Sequence, residues 1–124
     1  MTDITGFGLL GHAHEVAHLS TVAFRIDYEA LPWLPGARRY AESWQHFPGG
    51  SERNEAYFGR WLHYERPLPD WEQRLLHDPQ TSGGLLMAVP AARADDVMAR
   101  LGAKSELAHR IGEAILGDGE LVIS

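Results

Sequence analysis

The sequence lacks cysteine and long apolar runs, and each absence excludes a class of protein or site. With no cysteine among the 124 residues, disulfides, thiolate metal sites and cysteine nucleophiles are excluded within this chain. No apolar run approaches the ~20 residues that a membrane-spanning helix needs. The first ten residues, MTDITGFGLL, lack the basic region, apolar stretch and cleavage site of a secretory signal. We therefore expect a cytoplasmic protein with no membrane partner.

Basic residues are also scarce, and this argues against nucleic acid as a partner. The chain has 11 Lys and Arg against 17 Asp and Glu, for a net charge of −6, and its only close basic pair is Arg38-Arg39. An acidic protein that handles phosphates normally recruits divalent cations or backbone amides. The hydrophobic fraction of 44% and charged fraction of 23% are those of a globular protein, and we expect one domain over residues 1–124.

The N-terminal third predicts one helix and one strand. Apolar residues recur at helical spacing from about Gly8 to Leu19, with Thr5 as a candidate cap. One face of this helix carries Leu9, Leu10, Ala13, Val16 and Ala17, and the opposite, solvent-facing side carries His14, Glu15 and His18. Val22–Asp27 is rich in strand formers and predicts a strand.

The segment from Tyr28 to His77 is rich in proline and glycine and predicts loops with short helices. These helices are expected near Ala37–Trp44, Glu52–Leu62 and Asp70–Leu76. All four tryptophans fall in this segment, at Trp33, Trp44, Trp61 and Trp71. We expect them to pack the loops onto the core; stacking on a ligand is the alternative.

The last third predicts a strand, a helix and a hairpin. Leu85–Val89 is an apolar run of strand length, and Pro90 opens a helix through about Leu101. Strands near Arg110–Ile115 and Glu120–Ile123 are joined through Gly117-Asp118-Gly119, a hairpin turn. The expected fold is α+β, a mostly antiparallel sheet with helices packed on one face.

A glycine-rich segment, Thr2–His12, precedes the first helix and carries candidate ligands for phosphate and magnesium. Amides at a helix N-terminus attract anions, and glycine lets a phosphate approach the backbone, which points to Thr5, Gly6 and Gly8. Asp3 supplies the hard oxygen that Mg²⁺ prefers. The alternative is a capped helix start with glycines for tight packing.

A second glycine-rich segment, Asp78–Gly84, leads into the Leu85 strand. Its candidate binding residues are Thr81, Ser82, Gly83 and Gly84. Taken alone, the composition is equally that of an ordinary turn.

Together these segments resemble the selenophosphate synthetases (selenide, water dikinases). TDITGFGLLGH and DPQTSGGLL are similar to two signatures of that family, and Pro48–Asn54 (PGGSERN) is similar to its PGG-[ST]-x-x-N stretch, in the same order. FRIDYEALPWLP and Ile111-Gly112-Glu113 also lie where the family has comparable segments. The resemblance spans nearly the whole chain.

The resemblance implies a fold, a reaction and a division of labour. The family converts ATP, selenide and water into selenophosphate, AMP and phosphate, with magnesium, as a homodimer. Its fold is that of aminoimidazole ribonucleotide synthetases, and an initial strand and helix of the C-terminal domain are expected upstream of Met1. The aspartate of its TD-[IV]-TGFG motif, here Asp3, is a magnesium ligand. Thr5, Gly6 and Gly8, and separately Thr81 to Gly84, line the phosphate or product path by position.

The family's reactive cysteine or selenocysteine and its lysine belong to an N-terminal, ATP-binding half that nothing here matches. The isolated chain is therefore expected to hold no catalytic residue and to be inactive. A strand at Val22–Asp27 that lacks its upstream neighbour is expected to be exposed at a sheet edge, so that the chain self-associates as a two-fold dimer.

Two alternatives come from other classes of function. His14-Glu15-Val16-Ala17-His18 matches the HExxH pattern of zinc peptidases, in which both histidines bind the metal and the glutamate is the base. A chain without a catalytic half is also compatible with a non-catalytic dimerisation or binding module.

Overall fold

The computed structural model describes residues 1–43 and 46–124. Their helices are α1 (Gly8–Leu19), α2 (Ala37–Ala41), α3 (Gly49–Phe58), α4 (Asp70–Leu76) and α5 (Ala94–Ala103). Their strands are β1 (Thr2–Asp3), β2 (Ala23–Ile26), β3 (Leu62–Tyr64), β4 (Leu85–Leu86), β5 (Gly112–Ile115) and β6 (Leu121–Ile123). None of the helices in these ranges is long and apolar enough to cross a bilayer.

Four strands form a mixed sheet in the order β3-β6-β2-β5. β2 pairs with β5 in antiparallel orientation, whereas the β2–β6 and β3–β6 pairings are parallel. The prediction of a mostly antiparallel sheet is therefore wrong for this sheet. The reason is the position of β2, which lies between β5 and β6. These two strands therefore do not pair with each other in the predicted hairpin.

The central position of β2 also corrects the prediction that this strand is an exposed edge. Phe24 lies opposite Ala114 of β5 on one side and opposite Leu121 of β6 on the other. The backbone groups of β2 thus have partners on both sides, and the edge strands of this sheet are β3 and β5.

The core lies between α1 and the inner face of the sheet. Leu10, Ala13 and Ala17 of α1 are fully buried and pack in one cluster with Phe24 and Leu121. Burying a side chain such as Leu10 stabilises the fold by about 2 kcal/mol. Because side chains alternate along β2, its charged residue lies on the opposite face of the sheet, which faces solvent.

On that outer face, Arg25 lies between two carboxylates of neighbouring chain segments. Its guanidinium is 3.5 Å from Glu65 and 3.6 Å from Glu113. Charged residues thus cover the outer face of the mixed sheet, and helices pack against its inner face. The fold is α+β.

The loop-rich layer packs on the core through its aromatic residues. Trp33 contacts the core cluster. Trp61 stacks on His14 with ring centroids 3.9 Å apart, and the Arg38 guanidinium lies 5.9 Å from the centre of the Trp71 ring. These contacts agree with the predicted packing role; Trp44, with the predicted end of its helix, lies outside the described residues.

A large apolar cleft opens between α5, the segment after β4 and the inner face of the sheet. Its volume is about 1030 Å³, and Val97, Met98 and Leu101 of α5 lie along it. No residue of α5 is buried. The predicted strand Leu85–Val89 ends at Leu86. Met87 and Val89 lie along this cleft, and no strand within the described residues pairs with them.

Candidate functional site

The two glycine-rich segments lie side by side because β1 pairs with β4. In this antiparallel pair Asp3 lies opposite Leu85. The pairing continues beyond the strands: the backbone amide of Ile4 donates to the carbonyl oxygen of Gly84 at 2.9 Å, and the amide of Gly83 donates to the carbonyl oxygen of Ile4 at 3.2 Å. Segments about 80 residues apart in sequence therefore form one ribbon at the start of α1.

The third predicted segment, Pro48–Asn54, joins the same place through two buried side chains of α3. The hydroxyl of Ser51 donates to the Asp78 carboxylate at 2.7 Å. The side-chain amide of Asn54 donates to the carbonyl oxygens of Gly6, at 2.9 Å, and His77, at 3.0 Å. Asn54 thus connects the first glycine-rich segment to the second, through a buried bond to His77 and a partly buried bond to Gly6.

The close approach of the two segments requires glycine at position 8. Gly8 has a φ of +68°, and a Cβ atom there would lie 2.9 Å from backbone atoms of His77 and Asp78. A side chain would meet both a rarely adopted backbone conformation and fixed backbone atoms. Gly8 is therefore buried and required for packing, and its expected place along the phosphate path stays a prediction.

Asp3 is exposed at the start of this ribbon. Within residues 1–43 and 46–124, its carboxylate makes no hydrogen bond or ion pair. The next residue, Ile4, is 5% exposed and points into the core. Since side chains alternate along an extended chain, Asp3 and Thr5 lie on the same, outward side of the ribbon.

Thr5 does not cap α1 as predicted. Phe7 occupies the cap position without a side-chain hydrogen bond. The carbonyl oxygen of Thr5 accepts from the backbone amides of Gly8 and Gln80, each at 3.0 Å. The backbone of Thr5 thereby joins the two segments, and its side chain is left for another partner.

That partner is a histidine that sequence analysis placed in the signature without a role. The hydroxyl of Thr5 lies 3.1 Å from Nε2 of His12, and Nδ1 of His12 lies 3.1 Å from the Glu15 carboxylate. The ring of Phe7 packs beside the imidazole, with centroids 5.3 Å apart. The spacing of three residues between His12 and Glu15, which places them on one helix face, is the sequence signal for this contact.

The remaining predicted residues surround an open surface. Thr81 and Ser82 are exposed, and neither hydroxyl bonds to another residue in the described part of the chain. Cβ atoms placed at Gly6 and Gly84 would meet nothing within 4 Å. Space for a ligand beside the backbone therefore exists at both glycines, next to Asp3 and Thr5.

Comparison with known families agrees with this geometry. The family model described as "AIR synthase related protein, C-terminal domain" matches residues 1–123. The chain belongs to this family.

Proteins similar to this chain include selenide, water dikinases of two bacteria. The chain is 44% identical over 122 residues to that of Escherichia coli (strain K12) and 43% identical over 122 residues to that of Shigella flexneri. Each match covers 98% of this chain and 32% of the relative, so the chain spans about a third of the length of these proteins. The resemblance to selenophosphate synthetases is confirmed.

The zinc-peptidase alternative is not favoured in this member of the AIR synthase related family. Residues 1–43 and 46–124 contain no group of three His, Cys, Asp or Glu side chains that could hold a metal ion. Glu15, the predicted base, instead bonds His12. The glutamate of the HExxH match therefore has a structural role, as the partner of His12.

The structure also corrects the predicted exposure of His14. It is 6% exposed, its Nδ1 lies 2.8 Å from the carbonyl oxygen of Gly119, and its ring stacks on Trp61. His18 remains exposed, 3.6 Å from the Asp118 carboxylate. His14 thus belongs to the core of the family domain, while His18 lies on its surface.

A second buried histidine lies directly beneath the site. His77 is 1% exposed, and its Nδ1 has no hydrogen-bond partner among residues 1–43 and 46–124. Burial lowers the pKa of His77 to about 4, with a further contribution from the positive charge of Arg74. The imidazole is therefore neutral at physiological pH.

Proposed function

We propose that this chain is the C-terminal part of a selenide, water dikinase, which converts ATP, selenide and water into selenophosphate, AMP and phosphate. The observation that carries the proposal is the convergence of three distant glycine-containing segments on the strand that bears Asp3. Identity of 44% to the Escherichia coli enzyme supports the same assignment. The proposal includes a cytoplasmic homodimer, residues 1–124 as one domain, and a separate ATP-binding half that holds the reactive residues.

In this proposal Asp3 is a magnesium ligand. Mg²⁺ is usually bound by one or two carboxylates together with phosphate oxygens and water. The exposed Asp3 carboxylate, which has no partner among the described residues, fits that requirement. Since these residues hold no group of three metal-binding side chains, Asp3 supplies one ligand and ATP or the other half supplies the rest. Bound magnesium neutralises charge on the phosphates.

The glycines and hydroxyls around Asp3 complete the surface. At Gly6 and Gly84 a phosphate oxygen can approach the backbone without meeting a side chain. The exposed hydroxyls of Thr81 and Ser82 are free to donate to phosphate oxygens, and the Gly83 amide holds the ribbon together through Ile4. In this proposal these residues bind and orient the phosphate groups, while the reactive residues of the other half make and break the bonds.

A chimaera tests the proposal. This chain replaces the matching C-terminal part of the Escherichia coli enzyme, and AMP formation from ATP is measured with and without selenide. We expect selenide-dependent AMP formation by the chimaera and none by the 124-residue chain alone. Asp3→Asn should lower the rate by about 100-fold or more, because the charge that holds the cation is lost.

The matched control is Asp95→Asn, which removes an exposed carboxylate from α5, far along the chain from the ribbon. Its activity should equal that of the parent chimaera. Normal activity of the Asp3→Asn chimaera, or steady AMP formation by the isolated chain, would contradict the proposal.

A further inference from the structure

The hydrogen-bonded series Thr5, His12 and Glu15 determines which way the threonine hydroxyl points. His12 is largely enclosed, with 12% of its side chain exposed, and contacts Thr5 and Glu15 through opposite ring nitrogens. A neutral imidazole has one donor and one acceptor nitrogen, so the partner of one nitrogen sets the role of the other.

The glutamate settles the tautomer. An ionised carboxylate only accepts hydrogen bonds, so Nδ1 of His12 carries the proton and donates to Glu15. Nε2 is then an acceptor, and the Thr5 hydroxyl donates to it across 3.1 Å. The single proton of Thr5 is thereby directed toward α1, and the lone pairs of its oxygen remain for the outward side.

We infer that His12 and Glu15 are positioning residues that make Thr5 an acceptor, so that Thr5 holds a magnesium ion or its coordinated water beside Asp3 and does not donate to a phosphate oxygen. This inference rests on the proposed function and refines it, because Thr5 was expected along the phosphate path. Asp3 can be a magnesium ligand whether or not Thr5 contacts the cation, so the role of Thr5 is a separate claim.

The backbone supports the pairing of Thr5 with Asp3. The two side chains lie on the same side of the ribbon, since Ile4 between them points into the core. Residues two apart in an extended chain are separated by ~6.6 Å. That span suits one hydrated cation, because Mg²⁺ usually keeps several of its waters.

The tautomer is tested on the full 124-residue chain by nuclear magnetic resonance of ¹⁵N-labelled histidine side chains at about pH 8, where imidazoles are mostly neutral. His12 signals are identified by their loss in His12→Gln. We expect a protonated Nδ1 and an unprotonated Nε2, and Glu15→Ala, which removes the acceptor, should abolish this preference. Glu52→Ala, at an exposed glutamate of α3, is the control and should change nothing. A protonated Nε2 in the parent chain would overturn the inference.

The cation is tested in the chimaera with ATP present, because ATP or the other half supplies the remaining ligands. Mn²⁺ replaces Mg²⁺ there and broadens nearby amide signals. We expect broadening at Asp3 and Thr5, about tenfold weaker binding in Thr5→Val, and restoration in Thr5→Ser, which keeps the hydroxyl. If Thr5→Val does not fold, Glu15→Ala decides, and it should weaken binding severalfold. Unchanged binding in the deciding variant overturns the inference.

A combination of variants separates this inference from the proposed function. Mn²⁺ binding that is lost in Asp3→Asn but unchanged in Thr5→Val leaves the proposed metal site standing and rejects only the role of Thr5. Absence of broadening at Asp3 in the parent chimaera with ATP present rejects both.

Discussion

The buried histidine His77 makes the free energy of unfolding of this fold depend on pH. His77 is 1% exposed and its Nδ1 has no partner in the described part of the chain, so the charged form is strongly disfavoured in the folded state. Burial, with the charge of Arg74, lowers the pKa from 6.5 to about 4. In the unfolded chain the same imidazole is solvated and binds its proton near the ordinary pKa.

The sign and size of the effect follow from these two pKa values. Between about pH 6.5 and pH 4 the unfolded chain binds one proton more than the folded chain, so the free energy of unfolding falls as the pH falls. One pKa unit corresponds to about 1.4 kcal/mol. Full acidification through this range therefore lowers the free energy of unfolding by about 3 kcal/mol through His77. That is a large part of the ~5–15 kcal/mol by which a typical domain is stable.

Urea unfolding at pH 7 and at about pH 4.5 measures this contribution. Other groups also titrate in this range, so the parent chain is compared with His77→Leu, which fills similar space and cannot be protonated. The parent should lose about 2–3 kcal/mol more than the variant on acidification. His63→Gln, an exposed histidine of β3, is the control and should behave as the parent.

The result that refutes this reasoning is an equal loss in the parent chain and His77→Leu. It would mean that the imidazole takes up a proton in the folded state without penalty, through solvent access or a carboxylate partner. A direct titration of the His77 ring signals then distinguishes these causes.

Three further outcomes follow from the site and the cleft. Asn54→Ala should lower the free energy of unfolding by about 1–3 kcal/mol, because one buried and one partly buried carbonyl lose the Asn54 donor; a loss below 0.5 kcal/mol in urea unfolding would contradict this. Gly8→Ala should cost about 1–3 kcal/mol by the same measurement, whereas Gly102→Ala in α5, where a Cβ atom has open space, should cost nothing. The chain should self-associate at high concentration through its open apolar cleft, and Met98→Asp should reduce this in sedimentation; a clean monomer would count against it.

Elements defined by local signals were predicted well from sequence. α1 and α4 begin and end at the predicted residues, because their apolar spacing is a property of the segment itself. β2 is likewise within one residue of its prediction at each end. β3 was missed, since three residues are too few for their alternation to indicate a strand, and they pair because β6 lies beside them.

Burial within a helix was less predictable. His14 was assigned to the polar face of α1 because histidine is usually at least partly exposed. Trp61 and Gly119, both distant in sequence, supply the stacking surface and the carbonyl that bury it. Helical spacing indicates which residues share a face, but the neighbours of that face come from the tertiary fold.

For the candidate site, the sequence by itself determined the family, the three glycine-containing segments and the choice of Asp3 as a candidate magnesium ligand. Only the tertiary structure decided that β1 pairs with β4, that Asn54 joins Gly6 to His77, and that Thr5 bonds His12. The physical reason is the range of the interactions. Capping, turn formation and helical spacing act within a few residues, whereas strand order and side-chain hydrogen bonds between segments depend on how the whole chain packs.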